Sequence, residues 1–152
     1  MDFELTAEQK DIQKAAREFI EGEYDKEKIL EWEQAHAFPR EIWKKAAKLG
    51  FIGIHYPEEY GGQGRSVSEQ LIFFEESRRA GAPLPLLTLN TVGPAIMQYG
   101  SDEQKRRFLP AILRGEVHFA IGYTEPDAGT DLASLKTAAV RDGDDYVING
   151  TK

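Results

Sequence analysis

The sequence predicts a mainly α protein, a helical bundle over roughly the first 115 residues followed by the opening strands of a sheet. Two observations carry this. Ser or Thr stands three residues before Glu or Gln at Thr6/Gln9, Ser66/Glu69 and Ser101/Gln104, each time ahead of apolar residues that recur every three or four positions. Beyond Gly115 the apolar period shortens to two.

In chain order, Thr6 and Gln9 open a helix whose stripe is Ile12, Ala15, Ala16, Phe19 and Ile20, ending near Gly22. Ile29, Leu30 and Trp32 mark a shorter helical piece with a narrow apolar face. Pro39 fits a first helical turn, and Ile42, Trp43, Ala46 and Ala47 form the next stripe. Gly50 and Phe51 then read as a left-handed ending with its apolar contact. Ser66 and Glu69 precede Val67, Leu71, Phe74 and Arg78; Ser101 and Gln104 precede Phe108, Leu109, Ile112 and Leu113. Between these two, Leu86 to Tyr99 reads as helical. Pro110 removes an N–H donor, so a bend or an early end is expected there.

After Gly115, Val117, Phe119, Ile121 and Tyr123 alternate with His118, Ala120, Gly122 and Thr124, the pattern of a strand with one small-residue face. Lys136 to Val140 and Tyr146 to Ile148 are short strand-like runs, with Asp142-Gly143 as the hairpin signal between them. So few strands leave ladder groups unpaired, and isolated hairpins are marginal in water. Residues 116–152 therefore read either as the start of a second domain that continues past Lys152, or as a hairpin folded back on the bundle in a small α+β domain.

Composition bounds the function. The chain has 152 residues, 41% hydrophobic and 30% charged, enough for one folded domain. It has no cysteine, which excludes disulfides, thiol nucleophiles and cysteine metal sites. "MDFELTAEQK" lacks the basic and apolar regions of a signal peptide, so a cytoplasmic setting is expected. A net charge of -7 opposes extended contact with phosphate backbones, and nucleic acid is not expected as a partner. The long weakly polar stretch from Ala80 to Met97 carries three prolines, so no membrane span is expected.

The most suggestive stretch is "IGYTEPDAGTDLASL", residues 121–135. A face carrying only Ala120, Gly122 and Thr124 leaves room for a flat ring, and Gly129 with Thr130 offers consecutive N–H groups able to hold an anion. Such a site suits a nucleotide with an aromatic ring and phosphates. On residue types alone, an irregular connector in which Asp131 caps a turn through Ser134 is the simpler account.

Other candidates are weaker. "YGGQG" lacks both phosphate-loop signatures and reads as a structural loop. His36, His55 and His118 are too scattered for a metal site and read as packing or surface residues. Glu58-Glu59 and Glu75-Glu76 read as solvated faces, because adjacent helical residues point about 100° apart. Trp32, Trp43, Phe73 and Phe74 read as core or domain-interface residues.

"YTEPDAGTD" resembles the signature of the acyl-CoA dehydrogenase family, with Thr124, Glu125, Pro126, Ala128, Gly129, Thr130 and Asp131 in pattern. "LGFIGIHYPEEYGGQG", "GSDEQKRRFLPAILRGE" and "DGDDYVINGTK" resemble other segments of the family in the same order. The resemblance implies an N-terminal helical bundle over residues 1–115, followed over 116–152 by the first strands of an incomplete antiparallel β-barrel domain. It implies α,β-dehydrogenation of an acyl-CoA thioester: a glutamate takes the α-proton and FAD takes the β-hydride. Ile121, Tyr123 and Thr124 match the family's contacts to the flavin ring, Gly129 and Thr130 match its pyrophosphate contacts, and Thr130 also matches a position touching the substrate thioester. The catalytic glutamate matches no position here, since relatives take it from a later part of the chain. The family further implies an electron-transfer flavoprotein or similar acceptor as partner, and a homo- or hetero-oligomer, a tetramer in the complete enzyme. Asp127 departs from the Gly of many relatives, and a carboxylate there repels a diphosphate unless it points to solvent. It fits members acting on bulkier or ring-containing acyl groups, some of them heteromeric with FAD held by certain subunits. The reading from a different class is a self-contained helical module that binds a protein or no ligand.

Overall fold

The structure, a computed structural model, describes residues 4–152. The first three residues, which belong to the predicted first domain and to the stretch read for a signal peptide, lie outside it. The described chain divides into two compact units, one ending at Phe119 and the other running from Ala120 to Lys152.

The first unit is helical. Its helices are α1 (Ala7–Glu23), α2 (Lys26–Gln34), α3 (Arg40–Lys48), α4 (Val67–Arg79), α5 (Gly93–Tyr99) and α6 (Asp102–Leu113). All three predicted capping boxes form, with Thr6, Ser66 and Ser101 each accepting from the backbone N–H three residues on. Asp25 caps α2 through the Glu27 amide. The helix ends are equally local in origin. At the end of α3 the Gly50 amide donates to Ala47 and that of Phe51 to Ala46, with Gly50 at φ 81°. Gly81 and Gly115 close α4 and α6 in the same way.

The end of α2 repeats this pattern with a histidine in the left-handed position: His36 has φ 49°, its amide donates to Glu33, and Ala37 donates to Trp32. A side chain there pays a steric cost that glycine avoids. His36→Gly is expected to raise stability by about 0.5–1 kcal/mol, measured as a higher urea midpoint with unchanged slope.

α1 packs along α4, and the core gathers Ile20, Trp43, Ile52, Tyr56, Phe73, Leu89, Leu109 and Ile112, each at most 2% exposed. Phe51 and Phe73 stack at 4.9 Å between centroids. Burying a side chain of this size stabilises by about 1.5–3 kcal/mol, so this cluster is the main support of the bundle.

Leu86 to Tyr99 is helical as predicted, but its first part is a π-turn over Thr88–Val92 that runs directly into α5. The cause lies in the core. The Gly93 amide donates to Thr88 rather than Leu89, and the Leu89 carbonyl accepts the Tyr56 hydroxyl at 3.0 Å. The wide turn thus frees one carbonyl for a buried phenol that needs a partner. At Pro110 the expected early end is not seen: α6 continues to Leu113, because only one turn of helix lies beyond the missing donor.

The second unit contains an antiparallel hairpin, β1 (Ala138–Asp142) and β2 (Asp145–Asn149). Asp142 pairs with Asp145, so the turn is centred on Gly143-Asp144, one residue later than the sequence signal placed it. Gly143 at φ 64° meets the need of the first central position of a tight hairpin turn. The predicted strand over Val117–Thr124 does not form: alternation sorts side chains onto two faces, but no described segment hydrogen-bonds to this run as a ladder. No helix among the described residues is long and apolar enough to cross a membrane.

Candidate flavin-binding segment

Each sequence-predicted site residue lies in the second unit and is exposed. Ile121 is 38% and Tyr123 60% exposed, and Thr124, Gly129 and Thr130 are open to solvent. The backbone turns between them: the Glu125 amide donates to Ala128 at 2.8 Å and the Ala128 amide returns to Glu125 at 3.1 Å. Ala128 fills the inside of this turn at 3% exposure. Beyond it, the Gly129 and Thr130 amides have no hydrogen-bond partner among the described residues. A Cβ placed on Gly129 would meet nothing within 4 Å. The segment therefore offers uncommitted donors on an open, small-residue surface.

Asp127 is 83% exposed and 3.8 Å from the Lys136 ammonium, so its charge faces solvent. The turn after it closes differently from the sequence expectation. Asp131 does not cap through its carboxylate; the Ser134 amide and hydroxyl both donate to the Asp131 carbonyl, the hydroxyl at 2.8 Å.

Glu125, a signature residue to which sequence reasoning gave no role, is the hub of the unit. Its carboxylate accepts the Lys136 amide at 2.7 Å and the Thr137 amide at 2.9 Å, and pairs with Lys152 at 3.1 Å. The adjoining Thr137 side chain, those two amides and the ammonium hold its carboxyl down at about 2. Its stabilising contribution is therefore present above the ordinary value of 4.5 and is lost as pH falls toward 2. Nothing local announces this, since the amides come from 11 and 12 residues away.

In the bundle, the candidates resolve into structure. The "YGGQG" amides are consumed internally: Gly61 donates to Glu58, Gly62 to Pro57, Gln63 to Gly53 and Gly64 to Tyr56. No donor there remains for a phosphate. His55 Nδ1 lies 3.4 Å from Gln70 Oε1, and His118 packs between Phe38 and Trp43. Glu58, Glu59 and Glu75 are exposed, but Glu76 corrects the reading of its pair as a solvated face. It is 5% exposed and accepts from Gln13 and, in a two-pronged contact, from Arg17. A depression of about 500 Å³ is lined by Lys44, Lys48, Tyr60 and Arg114 among others. Lys48 and Arg114 stand at the C-terminal ends of α3 and α6, where they offset exposed carbonyls.

Comparison with known proteins accounts for both units. The acyl-CoA dehydrogenase N-terminal domain matches residues 6–116, and the acyl-CoA dehydrogenase middle domain matches residues 120–152. Acyl-CoA dehydrogenase FadE26 of Mycobacterium tuberculosis is 60% identical over 113 residues, covering 74% of this chain and 28% of its own length. Acyl-CoA dehydrogenase FadE29 of the same organism is 48% identical, covering 100% of this chain and 40% of its own. The solved Tcur3481-Tcur3483 steroid ACAD superimposes with a TM-score of 0.87 at 49% identity, covering 99% of this chain and 40% of that one. The chain thus spans between 28% and 40% of the length of these relatives. The helical unit with its capped ends and the hairpin unit with its open turn match that family in order, and the chain belongs to the acyl-CoA dehydrogenases, a family of oxidoreductases.

Proposed function

We propose that this chain supplies part of the FAD site of an enzyme that dehydrogenates an acyl-CoA thioester across its α and β carbons. The observation that carries the proposal is the pair of uncommitted amides at Gly129 and Thr130 beside the exposed run Ile121–Thr124, in a chain of this family. The donor set fits the cofactor. Consecutive free amides suit a diphosphate, the exposed backbone of the run Ile121–Thr124 suits a flat ring, and Asp127 turns its charge to solvent. When bound, FAD supplies a ring able to accept a hydride. Ile121, Tyr123 and Thr124 would hold that ring through backbone groups and the Thr124 hydroxyl. Gly129 and Thr130 would hold the pyrophosphate, and Thr130 would also touch the substrate thioester. Donors fixed in place before the ligand arrives need no rearrangement when charge develops.

We assign residues 1–115 to the helical domain and 116–152 to the first part of a β domain. The proton-abstracting glutamate is assigned to no residue here. The substrate we propose carries a bulky, ring-bearing acyl group of the steroid class, supported by the likeness to the steroid ACAD. An electron-transfer flavoprotein or similar protein would reoxidise the flavin, and the working form would be an oligomer.

The test uses the full-length protein. It is expected to purify with a flavin absorption band that bleaches when a steroid-type acyl-CoA is added. Thr130→Asp places a carboxylate where the diphosphate would lie and should lower FAD retention and acyl-CoA binding by about tenfold or more, while the exposed Glu58→Gln should change neither. A colourless protein indifferent to acyl-CoA, or equal effects of the two substitutions, would defeat the proposal.

A further inference from the structure

Glu125 lies between the two parts of the proposed FAD site, Ile121–Thr124 on one side and Gly129–Thr130 on the other. Its side chain is 7% exposed, and its carboxylate contacts the start of the hairpin and Lys152. Lys152, in turn, reaches past Glu125: its ammonium donates to the Tyr123 carbonyl at 3.1 Å while pairing with the carboxylate at 3.1 Å. The Lys152 stem lies against Gly122, whose Cβ, if it had one, would sit 3.5 Å from that of Lys152. Between Ala120 and Thr130 the remaining ties are the small Glu125–Ala128 turn and the solvent-facing Asp127–Lys136 pair. Exposed pairs of the latter kind contribute little. The shape of the segment therefore depends on one carboxylate and one ammonium.

We propose that Glu125 and Lys152 are a positioning pair that holds residues 121–130 in the shape FAD binding requires, a role that rests on the flavin reading above. Neither would touch the reaction; each acts through the backbone it fixes. The carboxylate is suited to this because it accepts two consecutive amides, one on each oxygen, and keeps a lone pair for the ammonium. Glutamine cannot replace it. With its amide oxygen where the Thr137 amide and the ammonium meet, its NH₂ faces the Lys136 N–H, donor against donor, and the charge that holds the ammonium is gone. Lys152→Met leaves both amide contacts in place and removes only the hold on Tyr123 and the charge. Lys152→Arg keeps a cation able to reach both acceptors.

Two measurements on the full-length protein test the pair. In flavin-stripped protein, hydrogen exchange at the Lys136 amide should quicken by about tenfold or more in Glu125→Gln and stay slow in Lys152→Met. In FAD titrations of the same apoproteins, both variants should bind about tenfold more weakly, as loss of a supporting partner does at other sites. The double variant should be no weaker than Glu125→Gln alone, since one unit is being broken, and Lys152→Arg should recover most of the affinity. Lys152→Met carries the comparison should Glu125→Gln fail to fold. Parent-like FAD affinity in folded Lys152→Met, or in Glu125→Gln with its Lys136 amide exchanging fast, overturns the pair while leaving the flavin reading intact. A parent protein that takes up no FAD overturns the flavin reading, and the pair's role with it.

Discussion

Gly93→Ala is expected to lower the stability of the bundle by about 3 kcal/mol, read as a fall in the urea midpoint. Two effects oppose each other at this site. Gly93 has helical angles, φ -57° and ψ -52°, so alanine would gain up to about 1 kcal/mol of propensity there. Against this, the new Cβ would lie 1.9 Å from the Tyr56 hydroxyl oxygen and 2.8 Å from the carbon bearing it. Tyr56 is 0% exposed in the core and cannot swing aside. The clash outweighs propensity. Tyr56→Phe alone should cost about 1–2 kcal/mol, because the Leu89 carbonyl loses its 3.0 Å hydrogen bond. In the Gly93→Ala background the same change should cost much less, or stabilise, because the clashing oxygen is gone. A double-mutant cycle with no coupling would show that the π-turn is not shaped by the phenol.

What the sequence made legible follows from the range of each interaction. Thr6, Ser66 and Ser101 bond three residues ahead, and Gly50, Gly81 and Gly115 turn the chain within one residue, so the helix ends could be read directly. His36 performs the glycine task without the glycine, which residue type alone does not signal. The alternation over Val117–Thr124 predicts a strand, yet a strand is defined by its neighbour, and alternation holds no information about whether one is present. Glu76 and Glu125 illustrate the same limit for charge. The donors that hydrogen-bond their carboxylates lie 59 and 63 residues away for Glu76 and 11 and 12 for Glu125, so a glutamate that organises the fold looks like one that only solvates it. The site candidates stood out through a motif resemblance; their small residue types by themselves fit a connector equally well. The π-turn at Thr88–Val92 had no local signal, because its cause is a hydroxyl more than thirty residues earlier in the chain.

The contact between α1 and α4 supports the other large expected effect. Arg17→Met is expected to destabilise the bundle at neutral pH, read as a lower urea midpoint. Removing one partner of a fully buried ion pair costs about 3–5 kcal/mol because the survivor stays charged and unpaired. Here the figure is smaller, since Arg17 is 49% exposed and its charge is already screened, while Gln13 and Arg79 still face Glu76. The pH dependence distinguishes charge from packing. In the parent, the Arg17 hydrogen bond, joined by Gln13 and Arg79 and opposed by desolvation, holds the Glu76 carboxyl below its ordinary 4.5. A depressed folded value means stability that is fully present above 4.5 and is lost as pH falls below it. In Arg17→Met desolvation gains the upper hand, the carboxyl moves up, and protonation relieves the variant rather than harming it. The gap between the two unfolding curves should therefore be widest near neutrality and narrow as pH drops through the carboxylate range. A gap that stays constant with pH would mean that the Arg17 stem, rather than its charge, supports the α1–α4 contact.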